Sequence, residues 1–189
     1  KLTPLGLKTL AAIEEIYATA DKRLGDLTTV GERQHHGIGK RMTQNFPEIF
    51  KTKNIKIDAR STTVNRCILS MIAECEELAA ANPTANIHND VSESLQYYLN
   101  QPWDGLVQKL GKSTGDKEER EYTMKWTHPE RLMKQLFNDQ AYVYNNVNAS
   151  QLMRQIFHVA CNMQSHDTDL ELFSLFTDEE VYDLWRLNN

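Results

Sequence analysis

The sequence predicts a mostly helical α+β fold, made of part of an α/β core and an all-helical region. Apolar residues recur at helical spacing over most of the 189 residues. One short stretch, residues 55–59, alternates in polarity like a β-strand. After residue 82 the strand pattern nearly disappears and helix-capping patterns replace it. We therefore expect residues 1–82 to belong to the α/β core and residues 83–189 to be helical.

Three helices and one strand are predicted in the first half. Thr3 can cap a first helix that continues to Leu24, and Gly25 then fits a helix stop. A second helix is predicted from Thr28 to the residues before Pro47. The third helix follows the strand, and its N-cap is expected among the hydroxyl residues 61–63. It carries the clearest apolar stripe, formed by Val64, Cys67, Ile68, Met71, Ile72 and Cys75.

Capping boxes are predicted at residues 127–130, 148–151 and 177–180, each before an apolar helical pattern. A weaker strand signal surrounds Ile87. Because one strand cannot form a sheet, we expect the rest of the sheet to lie outside this chain.

Composition excludes several classes of protein. The net charge of −5 argues against nucleic acid as a partner, since phosphate-binding surfaces usually carry a basic excess. No run of eighteen apolar residues occurs, so no membrane span is predicted. Three cysteines are an odd number and imply no complete disulfide framework. The first residues contain neither Met nor a signal-peptide core, which is typical of a processed or trimmed chain.

Arg66 is the main candidate for ligand binding. It falls in the first turn of the third helix, off the apolar stripe, just beyond the carboxyl end of the strand. A helix N-terminus presents free N–H groups, and an arginine there adds a planar pair of donors. Open α/β sheets also bind ligands beyond the carboxyl ends of their strands. The pattern predicts a phosphate or oxyanion site, although a solvated surface arginine is the commoner case.

Two segments resemble the histidine phosphatase superfamily, in its acid phosphatase and phytase branch. Residues 27–39 read L-T-T-V-G-E-R-Q-H-H-G-I-G, which is similar to that branch's L-T-x-x-G-x-x-Q-H-x-x-x-G segment. Residues 58–70 read D-A-R-S-T-T-V-N-R-C-I-L-S, which is similar to its R-S-T-x-x-x-R-x-x-x-S segment. Residues 2–6 and the long helical region resemble the multiple inositol polyphosphate phosphatases within this branch.

The resemblance implies a phosphomonoesterase that acts through a phosphohistidine intermediate and needs no cofactor or metal. It places Arg66 in the phosphate clamp, whereas Arg60 is a secondary candidate because the corresponding arginine is less directly involved. The helical region would be the cap over the phosphate pocket. The implied substrates are phytate, other inositol polyphosphates or other phosphomonoesters, and the implied location is periplasmic or secreted.

Two expected motifs are missing from the 189 residues. No R-H-G-x-R segment supplies the nucleophilic histidine, and no H-D or H-A-E segment supplies the proton donor. His166-Asp167 is the only His-Asp pair, and its polar surroundings without a preceding apolar strand do not fit the motif. We therefore expect both motifs to lie outside this chain, the first before Lys1 and the second after Asn189, and the chain alone to be inactive.

Several other residues have patterns that resemble binding or catalytic sites. His35 is expected to be structural, as the corresponding histidine is in the family. Residues 111–114, G-K-S-T, imitate a P-loop end, but the glycine spacing is wrong. Five cations in the helical region could grip a polyanion, but mixed charges favour a solvated surface: Lys112, Lys117, Arg120, Lys125 and Arg131. The alternative to a phosphatase is a non-enzymatic helical module that binds a partner protein.

Overall fold

The computed structural model describes residues 1–20, 23–99 and 116–187, and these form two compact units. Unit 1 combines residues 1–24 with residues 112–189, and unit 2 comprises residues 25–111. The division therefore differs from the predicted boundary at residue 82. The N-terminal helix packs with the C-terminal helices, and a strand after residue 82 pairs with the earlier strand.

The described residues are mostly helical, with one small sheet. Unit 1 contains α1 (Pro4–Thr19), α6 (Asp116–Trp126), α7 (Glu130–Leu136), α8 (Gln140–Asn146), α9 (Ala149–Met163) and α10 (Asp178–Leu187). Unit 2 contains α2 (Thr29–Asn45), α3 (Pro47–Phe50), β1 (Lys56–Arg60), α4 (Asn65–Ala81), β2 (Asn86–Asp90) and α5 (Gln96–Leu99). Short 3₁₀ turns lie at Glu93–Leu95 and Phe173–Leu175. No described helix is both long enough and apolar enough to cross a membrane.

Unit 2 is built on a β1–α4–β2 unit with parallel strands. Lys56 pairs with Asn86 and Arg60 pairs with Asp90, in a register without bulges. The prediction that the strand lacks a partner in this chain is therefore wrong, as is the prediction that residues beyond 82 are all helical. The signal around Ile87 was weak because β2 reads N-I-H-N-D, with a single large apolar residue.

Helices α2 and α4 run side by side in the same direction. The reason they approach so closely is Gly39, since a Cβ there would lie 2.7 Å from the Glu74 carbonyl oxygen. Near this point His35 Nδ1 lies 2.7 Å from Glu74 Oε1, and His36 Nδ1 lies 3.1 Å from Glu77 Oε1. Residues later in α2 contact residues later in α4, so the two helices run parallel to each other.

Buried Asn82, the residue after α4, fastens this end of α4 to the end of α3, the short helix that follows α2. Its side-chain N–H groups donate to the carbonyl oxygens of Phe50 and Thr52, at 3.0 and 2.9 Å. Its side-chain oxygen accepts from the backbone and hydroxyl of Thr84, at 3.1 and 2.7 Å. Every hydrogen-bonding group of this amide is therefore used, which offsets the cost of burying it.

The start of α4 differs from the prediction in one respect. Val64 occupies the N-cap position and makes no side-chain cap, so none of the three hydroxyl residues 61–63 caps the helix. Two of them have other partners. Ser61 donates to the Thr62 carbonyl at 2.9 Å, and Thr63 accepts from Gln96 at 2.8 Å.

Unit 1 encloses the main apolar core. Its innermost side chains come from α7, α9 and α10, and the largest fully buried ones are Leu132, Met153 and Leu184. Helix α1 adds Ala12 and Ile16 to this core. It ends at Thr19, before the predicted end at Leu24, so Gly25 is not its stop signal.

An ion pair ties α7 to the start of α10. Arg131 contacts both carboxylate oxygens of Glu180, and the Nε contact is 2.8 Å. The Glu180 carboxylate also accepts from the Thr177 backbone at 2.9 Å, while Thr177 Oγ1 accepts from the Glu180 backbone at 3.2 Å.

This reciprocal pair confirms the capping box at residues 177–180, and Asn148 caps α9 as predicted. The box predicted at residues 127–130 is wrong, because Pro129 occupies the N-cap position of α7 and the hydroxyl of buried Thr127 has no partner.

Gly39→Ala is expected to destabilise unit 2, because its methyl group would meet the Glu74 carbonyl at 2.7 Å. Overpacking of this kind costs about 1–3 kcal/mol, measurable by urea unfolding. Gly37→Ala is the matched control, since its methyl group meets only the flexible end of Arg41. There the alanine is expected to raise stability by up to about 1 kcal/mol. Equal effects of the two substitutions would contradict the role given to Gly39.

Glu180→Gln is expected to lower the free energy of unfolding by about 1.5–3 kcal/mol, since it weakens charge-assisted hydrogen bonds. Burial alone would raise the pKa of Glu180, but the hydrogen bonds from Arg131 and Thr177 outweigh it and hold the pKa below its usual value. The stabilisation is therefore complete above the unfolded pKa of about 4.3 and is lost as the pH falls through the folded pKa.

The measurement is urea unfolding of wild type and Glu180→Gln between pH 7 and pH 3. The variant is expected to lose less stability than wild type over the acid range. Exposed Glu179, on the same helix turn, provides the control, and Glu179→Gln is expected to change stability by less than about 0.5 kcal/mol. A Glu180→Gln protein with wild-type acid sensitivity would rule out this ion pair as a source of it.

Candidate functional site

Arg66 lies in the first turn of α4, as the sequence predicted. It is six residues beyond Arg60, the last residue of β1. Its side chain is exposed. Its Nη1 donates to the Gly25 carbonyl oxygen at 3.2 Å. A guanidinium has five N–H donors in a fixed plane, so this contact orients the group and leaves most of its donors available for an anion.

The N-termini of α2 and α4 lie at the same end of unit 2. Besides the contact between Arg66 and Gly25, Asn65 Nδ2 lies 3.5 Å from the Asp26 carboxylate. Thr28 then caps α2 by accepting from the Gly31 backbone at 3.0 Å. Because the helices are parallel, the positive ends of both dipoles share this end with the carboxyl ends of β1 and β2. Arg66 adds a full positive charge there.

Arg60 is placed differently from Arg66. It is the last residue of β1, in register with Asp90, and it lines an open groove of about 510 Å³ between β1, α2 and α4. The groove is mainly apolar, with Met71, Cys75 and Leu78 among its walls. Arg66 is not among the lining residues. The structure therefore brings the two predicted arginines to one end of unit 2 without placing both in this groove.

The residues of the 27–39 segment hold helices together. Thr28 is an N-cap, Gly39 permits the close approach of α4, and His35 pairs with Glu74. His35 and Glu74 also line the groove, with about 30% of each side chain exposed. Each of these contacts has a structural purpose, in agreement with the structural role expected for His35.

Cys75 is a buried thiol that lines the groove. Burial, and secondarily the neighbouring Glu74 carboxylate, raise the pKa of the Cys75 thiol above its usual value. Its sulfur lies 3.6 Å from the Asn89 side-chain oxygen. A raised pKa keeps the thiol protonated, and only the thiolate is an effective nucleophile. Cys75 is therefore buried with its thiolate form disfavoured, which fits a residue of the core.

Two of the five cations considered in the helical region, Arg131 and Lys125, have partners among the described residues. Arg131 is paired with Glu180, an interaction that raises the pKa of the guanidinium. Lys125 lies 4.8 Å from the centre of the Trp126 ring. Lys117 and Arg120 belong to α6, while Lys112 and the G-K-S-T stretch lie outside the described residues.

Two residues of the site were missed by the sequence reasoning. Gly25 was assigned to a helix stop, yet it lies in the turn before α2 with φ +87°. Glu74 was not considered, although it contacts both His35 and the close-packed region at Gly39. A glycine six residues beyond the end of α1 and three residues before the N-cap of α2 is the signal for such a turn.

No protein-family model matches this sequence, and no curated protein matches it. In the described part of the chain, no three His, Cys, Asp or Glu residues are grouped so that they could hold a metal ion. The relationship to the histidine phosphatases remains a prediction that depends on residues 27–70.

Proposed function

We propose that this chain is part of a phosphomonoesterase of the histidine phosphatase superfamily, in the acid phosphatase and phytase branch. The observation that carries the proposal is the placement of Arg66. It lies in the first turn of α4, beyond the carboxyl end of a parallel strand and beside the N-terminus of α2. In the proposal, Arg66 binds the phosphoryl group, and Arg60 has a secondary role.

This end of unit 2 suits a phosphate in both charge and geometry. A phosphate dianion requires several fixed donors, and a guanidinium matches two of its oxygens with parallel hydrogen bonds. The first backbone N–H groups of α4 receive no side-chain cap. Such groups add donors and positive potential next to Arg66.

The rest of the catalytic machinery is proposed to come from outside these 189 residues. A histidine would attack phosphorus while a proton donor protonates the departing alcohol oxygen, which breaks the phosphorus–oxygen bond. Water would then attack the phosphohistidine, releasing inorganic phosphate and restoring the imidazole. Throughout, Arg66 would stabilise negative charge on the non-bridging oxygens, and no cofactor is required.

Within this proposal, unit 2 supplies part of the α/β core and the helices of unit 1 supply the cap. The substrate would be phytate, another inositol polyphosphate or another phosphomonoester, and the enzyme would act in the periplasm or outside the cell. The resemblance of residues 27–39 and 58–70 to the family is the support for these assignments.

A second candidate function is a helical module that binds a partner protein. The observation that favours it is a stacked aromatic pair on α10, where the rings of Tyr182 and Trp185 lie 6.2 Å apart with more than half of each residue exposed. Exposed aromatic residues are enriched at protein interfaces. The experiments below separate the two functions, since this module would show no phosphate chemistry in any form.

The 189-residue chain alone is expected not to hydrolyse p-nitrophenyl phosphate, because it contains no R-H-G-x-R segment and no fitting proton-donor segment. The measurement is release of p-nitrophenol by chain purified over two different columns. Activity that persists through repurification and disappears in the Arg66→Ala variant would overturn the proposal that the nucleophile lies outside these residues.

In the full-length protein, Arg66→Ala is expected to lower kcat/KM by at least ten- to a hundredfold, since it removes charge-assisted hydrogen bonds of about 1.5–3 kcal/mol. Arg66→Lys should restore part of the activity, because a point charge cannot replace the planar fork. Arg60→Ala is expected to lower kcat/KM less than Arg66→Ala does. The assay compares hydrolysis of p-nitrophenyl phosphate and phytate.

The matched control is Arg41→Ala, which removes an exposed arginine on α2 and should leave kcat/KM unchanged. Thermal unfolding accompanies each assay, and the melting temperature of Arg66→Ala should stay near that of wild type. A well-folded Arg66→Ala protein with wild-type kcat/KM would exclude Arg66 from the site. Absence of phosphatase activity in the full-length wild type would favour the interaction module.

A further inference from the structure

We infer that Gly25 is a positioning residue, whose backbone carbonyl holds the Arg66 guanidinium in the orientation that binds phosphate. The inference rests on the proposed phosphate site. Its basis is the hydrogen bond from Arg66 Nη1 to the Gly25 oxygen, 3.2 Å long and spanning 41 residues of sequence. Arg66 donates to no other described residue through its side chain.

The conformation of Gly25 determines where its carbonyl points. Its φ of +87° lies in the left-handed region, which side-chain-bearing residues rarely adopt. A residue with negative φ would rotate the adjoining peptide groups, and the carbonyl would turn away from α4. Among the described residues, the one heavy atom found within 4 Å of a Cβ built at Gly25 is Arg66 Nη1, at 3.8 Å. Backbone conformation, and not packing, therefore requires glycine here.

An exposed arginine without an acceptor samples many rotamers and loses that freedom when it binds an anion. A carbonyl that already holds one N–H reduces this loss and leaves the opposite edge of the guanidinium facing outward. The turn that carries Gly25 is itself held at two points. Asp26 contacts Asn65, and Thr28 caps α2. The acceptor is thus fixed relative to the first turn of α4.

The test uses the 189-residue chain and inorganic phosphate as the probe, with affinity measured by NMR titration. Arg66→Ala is expected to weaken phosphate binding at least tenfold. Gly25→Ala is expected to weaken it about three- to tenfold, while Gly25→Asn should restore binding to within about twofold, because asparagine tolerates positive φ. Gly37→Ala carries the same substitution on α2 and should leave phosphate affinity unchanged.

A second measurement follows the Arg66 side-chain N–H signals, which report its order without any ligand. These signals should show restricted rotation in wild type, Gly25→Asn and Gly37→Ala, and averaging in Gly25→Ala. If Gly25→Ala does not fold, the Arg66 side-chain N–H signals of the wild type provide the test. Free rotation of the Arg66 side chain in the wild type would then overturn the inference. So would wild-type phosphate affinity in a folded Gly25→Ala protein. By contrast, wild-type affinity in Arg66→Ala would overturn the proposed phosphate site itself.

Discussion

The close approach of α2 to α4 at Gly39 is the contact on which the geometry of unit 2 depends. Glycine removes the side chain that would separate the two backbones, so the pair packs in parallel along its length. The pairs His35–Glu74 and His36–Glu77 form across the same interface, from the α2 residues just before Gly39. A larger residue would separate the helices and move the N-terminus of α4 away from the Gly25 turn. The position of Arg66 is therefore set by a residue that never touches it.

Unit 1 is stabilised by different means. Its apolar core is closed by the helices α7, α9 and α10, and the ion pair of Arg131 with Glu180 joins two of them at the edge of that core. The carboxylate that binds Arg131 also completes a capping box, so one side chain both begins α10 and fastens it to α7. Removing it would affect a helix end and a tertiary contact together. In unit 2 the close backbone approach at Gly39 and the hydrogen bonds of Asn82 hold the elements together instead.

The sequence was most informative where local patterns and tertiary structure agree. Thr28 begins α2, the alternating stretch forms β1, and Arg66 falls in the first turn of α4, as its position after the strand implied. Mostly helical α+β structure was likewise predictable. β2 gave only a weak signal around Ile87 because its polar residues follow no clear alternation, and pairing with β1 stabilises its extended conformation.

Other features depended on contacts that local patterns cannot reveal. The division into two compact units differs from the predicted boundary at residue 82 because α1 packs with helices more than a hundred residues away, a long-range contact without a signal in composition. The hydroxyl residues before α4 suggested a cap, but Ser61 donates to the adjacent Thr62 carbonyl and Thr63 accepts from the distant Gln96. The orientation of the Gly25 carbonyl also depends on a positive φ, which a glycine allows but does not reveal.

The fastening of the helix pair at both ends constrains how this protein can change length. Helices α2 and α4 each contain 17 residues, with Gly25 and Arg66 joined at one end and Asn82 holding the carbonyl groups after α2 at the other. One inserted residue would lengthen a helix by about 1.5 Å and rotate everything beyond it by about 100°. An insertion in either helix alone would thus break the register at Gly39 or at one of the two fastened ends. We therefore expect the connecting loops to tolerate insertions and deletions, and the two helices to tolerate a change of length only when both change together.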